Sequence, residues 1–382
     1  FAQALAYGAV QRVRTLDHVL EALSSRPLDQ VQPDVRDALR LGVLQVVWLG
    51  GVPDRAAVDQ TVELAKAASP RAAGFANAVM RRAGREAGAI VEALLDGTAE
   101  EAALKHSHPD WLARMWWEEL GPDEARALMA RNNEPAESAV RVNTLKATVE
   151  EVREALAAAG AEPRAAGGAI PLPEALVLGA PYDVHGSDLF ERGLVMPQSR
   201  GSMLVARTLA PRPGERVLDM CAAPGAKSTQ LAALMENEGE VVALEIDAAR
   251  AEETRRNAER LGARIVDVLT RDAREAVAPD GFDRVLVDAP CSDLGTLQSR
   301  PDARWRKTPD QIRALAALQA ELIEVALAQL KPDGTLVYST CTISPRENAA
   351  QVECLPPSEP PTQLLPHRHG TDGFFVARFT SG

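Results

Sequence analysis

From residue 194 onward, short aliphatic runs alternate with longer amphipathic stretches, and few folds accommodate that alternation. Strands are predicted at 216–220, 240–245, 264–268, 283–288 and 335–339. Helices at 227–236, 248–261 and 309–330 fall between them. Such a pattern buries both faces of each strand under helices and closes as a doubly wound parallel sheet of the α/β class. Phe374 to Phe379 reads as a closing strand. In a sheet of this kind, ligands sit outside the carboxyl ends of the strands, so the residues just past each strand carry the chemistry.

The first strand runs into Asp219-Met220-Cys221-Ala222-Ala223-Pro224-Gly225-Ala226-Lys227, and the helical pattern starts at Lys227. A strand, a turn of small residues and a helix N-terminus make a corner that fits a nucleotide. Walker A spacing is absent, and so is the dinucleotide Gly-x-Gly-x-x-Gly. The next strand ends in Glu245 and Asp247, about twenty residues on, where an acid can hold both hydroxyls of a ribose. Ribose recognition without a phosphate loop points to a nucleoside such as S-adenosylmethionine. Asp272, after the third strand, can accept from an adenine amino group.

Asp288-Ala289-Pro290-Cys291 follows the fourth strand and Tyr338-Ser339-Thr340-Cys341 the fifth, which puts two thiols at one edge of the sheet. Covalent catalysis is the functional reading; two packed cysteines, or a disulfide, are the alternatives. Methyl transfer to carbon 5 of a pyrimidine needs such a thiol, because addition at carbon 6 turns carbon 5 into an enamine nucleophile. Asp288 is expected to assist at ring N3. Lys227 and a helix N-terminus after Cys341 are expected to activate the nucleophile. Cys221 belongs to the cofactor turn and not to the catalytic pair.

Residues 1 to about 97 read as an all-helical bundle. Val35, Leu39, Val43, Val46 and Val47 share one helix face, and Ala57, Val58, Thr61, Val62 and Ala65 share another. A third helix, Ala72 to Arg85, carries Arg81 and Arg82 at its end, as an RNA contact or as a solvated helix terminus. Residues 98–193 read as a helical connector followed by a small α/β subdomain, with Trp116 and Trp117 as core anchors. The catalytic domain occupies 194–382. Arg300, Arg304, Arg306 and Lys307 around Trp305 suit phosphate and base contacts; a surface helix start is the alternative. Leu355 to Pro366 holds five prolines and reads as a loop or a disordered stretch. The helical stretch begun at Glu347 is short before it, and natural sequence is expected to be missing there and before Phe1.

The net charge of −12 argues against a nonspecific nucleic-acid coat, though not against a local basic groove. Four widely spaced cysteines do not form a disulfide framework, and reduced thiols fit a cytoplasmic protein. The pairs His106/His108 and His367/His369 lack a clustered third ligand, so no metal is expected. No apolar run of about 18 residues suggests a membrane span. A monomer is expected.

Several of these motifs resemble a known family. Val217 to Ser228 resembles the first motif of the RNA cytosine-5 methyltransferases. Asp288 to Ser292 and Ser339-Thr340-Cys341 resemble their two cysteine motifs, and Arg141-Val142-Asn143 and Asp372-Gly373-Phe374-Phe375 also fit. The resemblance implies a Rossmann-like class I methyltransferase fold with Cys341 as nucleophile and Cys291 aiding product release. It assigns cofactor contacts to Cys221, Ala222, Ala223, Pro224, Gly225, Ala226, Lys227, Glu245, Asp272 and Asp288. In the bundle, Ala38 to Gly42, Ala57 to Val62 and Asn77 to Arg82 look like the NusB-like domain that fronts the bacterial small-subunit ribosomal RNA enzymes of the Fmu, Sun or methyltransferase B group. The implied activity is S-adenosylmethionine-dependent methylation of cytosine carbon 5 in RNA, with 16S ribosomal RNA as the expected target. Transfer RNA is the alternative target, and a noncatalytic RNA-binding assembly factor the alternative class. Ala226, Ser228 and Gln198-Ser199 depart from the family pattern. Ala226 is tolerable if its φ is negative.

Overall fold

A computed structural model describes residues 1–167, 172–275, 280–355 and 357–381. Its contacts divide the chain into two compact units, Phe1–Pro135 with Leu297–Arg306, and Ala136–Thr296 with Lys307–Gly382.

The first unit is helical. It comprises α1 (Ala2–Leu23), α2 (Pro33–Trp48), α3 (Asp54–Ala68), α4 (Ala73–Glu92), α5 (Ala99–Lys105), α6 (Asp110–Leu120) and α7 (Pro122–Arg131). The unit therefore continues past the break expected near residue 97. Val35, Leu39 and Val43 are buried as the periodicity requires, whereas Val46, Val47, Val58 and Val62 lie only partly buried at the margin of the same core. Gly42 sets the approach of α2 to α3 and α4. A Cβ there would meet Thr61 Oγ1 at 2.5 Å and Met80 Sδ at 2.7 Å. Thr98 and Glu101 form a reciprocal capping box that starts α5. Trp116 is fully buried, while Trp117 is half-buried under Arg126.

The short segment Leu297–Arg306 belongs to this unit through two side chains. Arg304 is buried, and its guanidinium donates to Gln11 O, Ser107 O, Asn133 Oδ1, Asn132 O and Leu297 O at 2.8–3.4 Å. Trp305 Nε1 donates to Val10 O at 2.8 Å. Neither is the nucleic-acid contact that the basic cluster suggested. Arg304 has no exposed surface, so its guanidinium is out of reach of a phosphate.

The second unit holds two sheets. The smaller contains β1 (Ala139–Val142), β2 (Pro163–Ala165), β3 (Ala175–Leu178) and β4 (Val195–Pro197) in the antiparallel order β2-β3-β1-β4, accompanied by α8 (Val149–Ala158) and α9 (Asp188–Glu191). The larger begins after α10 (Arg200–Leu209). It uses β5 (Arg216–Asp219), β6 (Glu240–Glu245), β7 (Val266–Thr270), β8 (Phe282–Asp288) and β9 (Leu330–Thr340). The intervening helices are α11 (Ala226–Leu234), α12 (Ala248–Leu261) and α14 (Pro309–Ala328), and α13 (Ala303–Arg306) is the turn carrying Arg304. Beyond β9 come α15 (Ala349–Val352), β10 (Thr362–Gln363), α16 (Pro366–His369) and β11 (Phe375–Thr380).

The sheet order is β10-β11-β9-β8-β5-β6-β7, parallel from β9 to β7 and antiparallel at β11 and β10. The fold is thus the expected doubly wound α/β sheet behind a helical N-terminus. The chain moves outward from β5 to β7 and then returns to the other side of β5 with β8, so the carboxyl ends of β5 and β8 flank a topological switch point. The proline-rich stretch is not wholly a loop. Thr362 and Gln363 pair with Val376 and Phe375 as an edge strand; residue 356 of that stretch lies outside the described residues. Among the described residues no helix is long and apolar enough to cross a membrane.

Replacing Arg304 by Ala strands five buried acceptors and is expected to cost about 3 kcal/mol of stability, against no more than about 0.5 kcal/mol for Arg306→Ala. Urea unfolding of the two variants checks this; equal costs would contradict the anchoring role.

Candidate active site

β5 delivers Asp219 to the switch point, and the turn that follows closes on Gly225, whose φ of +95° only glycine adopts without strain. A Cβ there would also meet Thr254 Cγ2 of α12 at 3.0 Å. Ala226 opens α11 and is not among the positive-φ residues, so the departure from a second glycine is harmless. Arg141 of β1 clamps this helix start. Its guanidinium donates to Ala226 O at 2.5 Å, Thr229 Oγ1 at 2.9 Å and Gln198 Oε1 at 3.0 Å, and burial lowers it to about 9. Asn143 donates to Gly193 O and Leu261 O, which ties the small sheet to the end of α12. Ser199 caps α10 by accepting from Ser202 N, a task an Asp performs equally well. These contacts give the Arg141-Val142-Asn143 and Gln198-Ser199 segments a shared purpose, which is to hold the corner open.

Four carboxylates face the corner or its rim. Asp219 is buried and accepts from Ser228 Oγ at 2.7 Å. Burial pushes it up to about 6, the Ser228 bond works against that rise, and the charge of Asp288 adds to it. Glu245, at the end of β6, accepts from Asp247 N at 3.0 Å and pairs with Arg250 at 3.2 Å. Arg250 also donates to Ala223 O, so it spans from the acid to the turn. Asp272 is held by Arg274, whose hydrogen bonds, above all, lower the carboxyl below its ordinary range. Desolvation, then the carboxylates of Asp219, Asp288 and Glu245, push the Cys221 thiol well up, which suits a spectator.

Asp288 is the fourth acid and the hinge to the thiols. It accepts from Lys227 Nζ at 2.6 Å on one oxygen and from Ser339 Oγ at 2.7 Å on the other. Burial works to lower Lys227, but Asp288 outweighs it and the ammonium is held above its usual value. Phe374 lies under the same ammonium, 5.4 Å from ring centroid to Nζ. Both Asp288 oxygens are thus engaged, and Lys227 is the donor of the pair.

Cys291 Sγ and Cys341 Sγ stand 3.3 Å apart at the ends of β8 and β9. The Cys341 thiol donates to Asp293 Oδ1 at 3.3 Å. Its bond with Cys291, then burial, then the nearby carboxylates push it well above its usual value. Asp293 has φ +60°, and Lys307 Nζ lies 3.7 Å from its carboxylate and 3.5 Å from Cys291 O. No helix starts next to Cys341, because α15 begins only at Ala349; the expected dipole assistance is absent. Cys291, Asp293 and Cys341 bring their donor atoms within 4.8 Å of one another.

The sequence singled out Lys227, Asp288, Cys291 and Cys341, and the structure gathers them. Asp293, Arg250 and Ile246 were missed. Ile246 is 66% exposed beside Glu245, an apolar face at the ligand edge of the sheet. The signal for Asp293 was a carboxylate two residues past a site cysteine. Of the remaining basic residues, Arg81 and Arg300 are exposed. Arg82 donates to Leu23 O at the end of α1 and pairs with Glu86, while Arg306 pairs with Asp302. Burial lowers His106 to about 4 and His108 well below its ordinary value, so both are neutral.

The chain matches three family models. They are the 16S rRNA methyltransferase RsmB/F family over residues 206–360, the NusB family over 1–85, and the ferredoxin-like domain of RsmF/B-like methyltransferases over 108–185. It is 36% identical over 399 residues to the probable ribosomal RNA small subunit methyltransferase B of Bacillus subtilis (strain 168), covering 97% of this chain and 88% of that protein. A crystal structure of PH0851 superposes with a TM-score of 0.81 at 29% identity, covering 99% of this chain and 89% of that one. NSun6 from Pyrococcus horikoshii, solved with SFG, gives 0.66 at 26% identity over 71% of this chain and 97% of its own.

Asp219 yields a pH prediction. A carboxyl raised from 3.8 to about 6 stabilises the fold fully below the lower value and loses that contribution as pH rises through the upper one. Asp219→Asn keeps an acceptor for Ser228 and cannot ionise. It should gain on the wild type by on the order of 2 kcal/mol between about pH 4 and about pH 8. Urea unfolding at both ends of that window measures the gap; a gap independent of pH would refute the assignment.

Proposed function

The chain belongs to the 16S rRNA methyltransferase RsmB/F family, and from that premise we propose that it methylates carbon 5 of a cytosine in small-subunit ribosomal RNA. The observation that carries this reading is the pair of thiols 3.3 Å apart beside the corner at β5. Transfer to an exocyclic amine or a hydroxyl requires no thiol; transfer to carbon 5 requires one to make the carbon nucleophilic.

The corner suits S-adenosylmethionine. Gly225 leaves the turn without a Cβ that would strike Thr254, and Asp219 Oδ1 is buried without a hydrogen-bond partner. Cys221 to Lys227 would line the turn side. Glu245 would take the ribose hydroxyls, Asp272 the adenine amino group, and Ile246 one face of the base. When bound, this cofactor supplies the methyl group as an electrophile.

The protein's own part starts at Cys341. Its proton passes to Asp293 Oδ1, and the thiolate forms a bond to carbon 6 of the cytosine. The electron pair displaced from the 5,6 double bond makes carbon 5 nucleophilic, and Lys227, paired with Asp288, stabilises the charge that develops on the ring. After carbon 5 is methylated, Cys291 Sγ, acting as the thiolate once its own proton has left to solvent, takes the carbon-5 proton. The electrons of that C–H bond restore the double bond and expel Cys341 as thiolate. Two thiols in contact suit these two steps, since one must hold carbon 6 while the other reaches carbon 5.

Labelled S-adenosylmethionine incubated with unmodified 16S RNA is expected to label the RNA, and transfer RNA is not. Cys341→Ala should lower incorporation by roughly a factor of a thousand or more. Cys291→Ala should leave a covalent protein–RNA species that migrates slowly on denaturing gels. Incorporation that survives loss of Cys341 would sink the covalent mechanism, and label in transfer RNA alone would move the target.

A further inference from the structure

The distance between the two thiols is not set by the thiols. Each cysteine sits in a loop past its strand, and the residues on both sides of each are tied to the segment Glu347–Asn348. Glu347 is fully buried. Its Oε1 accepts from Ser292 N at 2.8 Å and its Oε2 from Ser292 Oγ at 2.5 Å, so both donors of the residue after Cys291 end on one carboxylate. Gln319 of α14 donates to Glu347 Oε1 at 3.2 Å and to Pro290 O at 2.8 Å, which holds the residue before Cys291.

The other loop is held from the same place. Thr340 Oγ1 donates to Asn348 Oδ1 at 2.6 Å, and Asn348 Nδ2 donates to Thr342 O at 3.0 Å, one residue on either side of Cys341. Thr342 and Ser292 share a hydroxyl bond of 2.7 Å. Because the Ser292 proton goes to Glu347, Thr342 is the donor in that bond, and the three form a directed chain. Tyr338 Oη closes the network by donating to Glu347 O at 2.6 Å. A buried carboxylate with three donors is costly to desolvate and adds little stability in exchange, so its use here is geometric.

We infer that Glu347 is a positioning residue that fixes Cys291 against Cys341 and so governs the step in which product is released. The inference deepens the proposed function and rests on it for the release step alone. Glu347 touches neither thiol. It acts through Ser292, and without it the Pro290–Ser292 loop loses both Ser292 bonds and keeps those of Thr342, Gln319 and Lys307.

Three variants of the full chain test this: Glu347→Ala, Glu347→Gln and Ser292→Ala. The first readout is independent of RNA. Diamide joins two neighbouring thiols as a disulfide while its N=N bond takes up both protons and both electrons, and peptide mapping separates the Cys291–Cys341 product from any involving Cys221 or Cys354. Glu347→Ala and Ser292→Ala should each slow this cross-link about tenfold, the consequence of buried donors losing their acceptor. Glu347→Gln can still bond Ser292 with the hydroxyl reversed, and should restore most of the rate. The second readout is the lifetime of the RNA adduct in a single turnover, which should lengthen in parallel while cofactor affinity by calorimetry stays at the wild-type value. Wild-type cross-linking in both Glu347→Ala and Ser292→Ala would overturn the inference, as would a loss of cofactor affinity equal to the loss of cross-linking. If no adduct forms even in Cys291→Ala, the covalent function fails while the cross-linking result still stands or falls by itself.

Discussion

The part-buried pair of Lys227 and Asp288 joins the two halves of the site. Lys227 sits in the first turn of α11, so its position follows from the corner at β5. Asp288 ends β8, and through Ser339 it also reaches the end of β9. One ion pair thereby links the turn proposed to hold the cofactor with both strands that carry thiols. Removing one partner leaves the other charge, sheltered from solvent though not sealed from it, without its compensation. The pair is therefore a strict constraint on where these three strands end relative to one another. Phe374, the residue before β11, also lies beneath the ammonium.

Two buried arginines perform the same kind of task, one in each unit. Arg141 gathers Ala226 O, Thr229 and Gln198, and Arg304 gathers carbonyls from three separated stretches of the helical unit. Burial lowers both to about 9, which still leaves each charged at neutral pH. A planar guanidinium can satisfy several orphaned carbonyls at once in a way that an ammonium cannot. In both places it stands where helix ends and loops converge without a regular ladder to pair their backbones.

Much of the catalytic sheet was legible because its punctuation is local. Helix α12 runs from Ala248 to Leu261 as predicted, since Asp247 caps its start and Gly262 takes the left-handed conformation at its end. The strand ends were legible within two residues, which sufficed to bring Asp288, Cys291 and Cys341 to one edge. What was not legible depends on burial or on long-range pairing. A cluster of arginines around Trp305 looks the same on paper whether it faces solvent or plugs a helical core. Prolines ruled out a central strand between Leu355 and Pro366 but not an edge strand, where a missing N–H is tolerated. The helix expected after Cys341 was a misjudged boundary. The Ser344-Pro345 turn delays it, and Glu347 and Asn348 spend their side chains on the thiol loops before helix α15 begins.

The resting dithiol restricts the order of events in the proposed mechanism. Cys341 is held in its protonated form mainly because it bonds to Cys291 and is buried, and nearby carboxylates reinforce this. The first ionisation must therefore be local and must remove the proton along an existing bond. Asp293 meets that condition for Cys341, at 3.3 Å. Its left-handed backbone is a conformation Asp tolerates better than most residues, and it turns the carboxylate back toward the thiol. Lys307 Nζ lies 3.7 Å from the Asp293 carboxylate, on which the proton is proposed to arrive. Once Cys341 is bound to carbon 6 it no longer bonds to Cys291 as a thiol. Cys291 Sγ is then free of its contact with Cys341 when the proposed second step uses it, so the contact that orders the resting pair gives way as the first step completes.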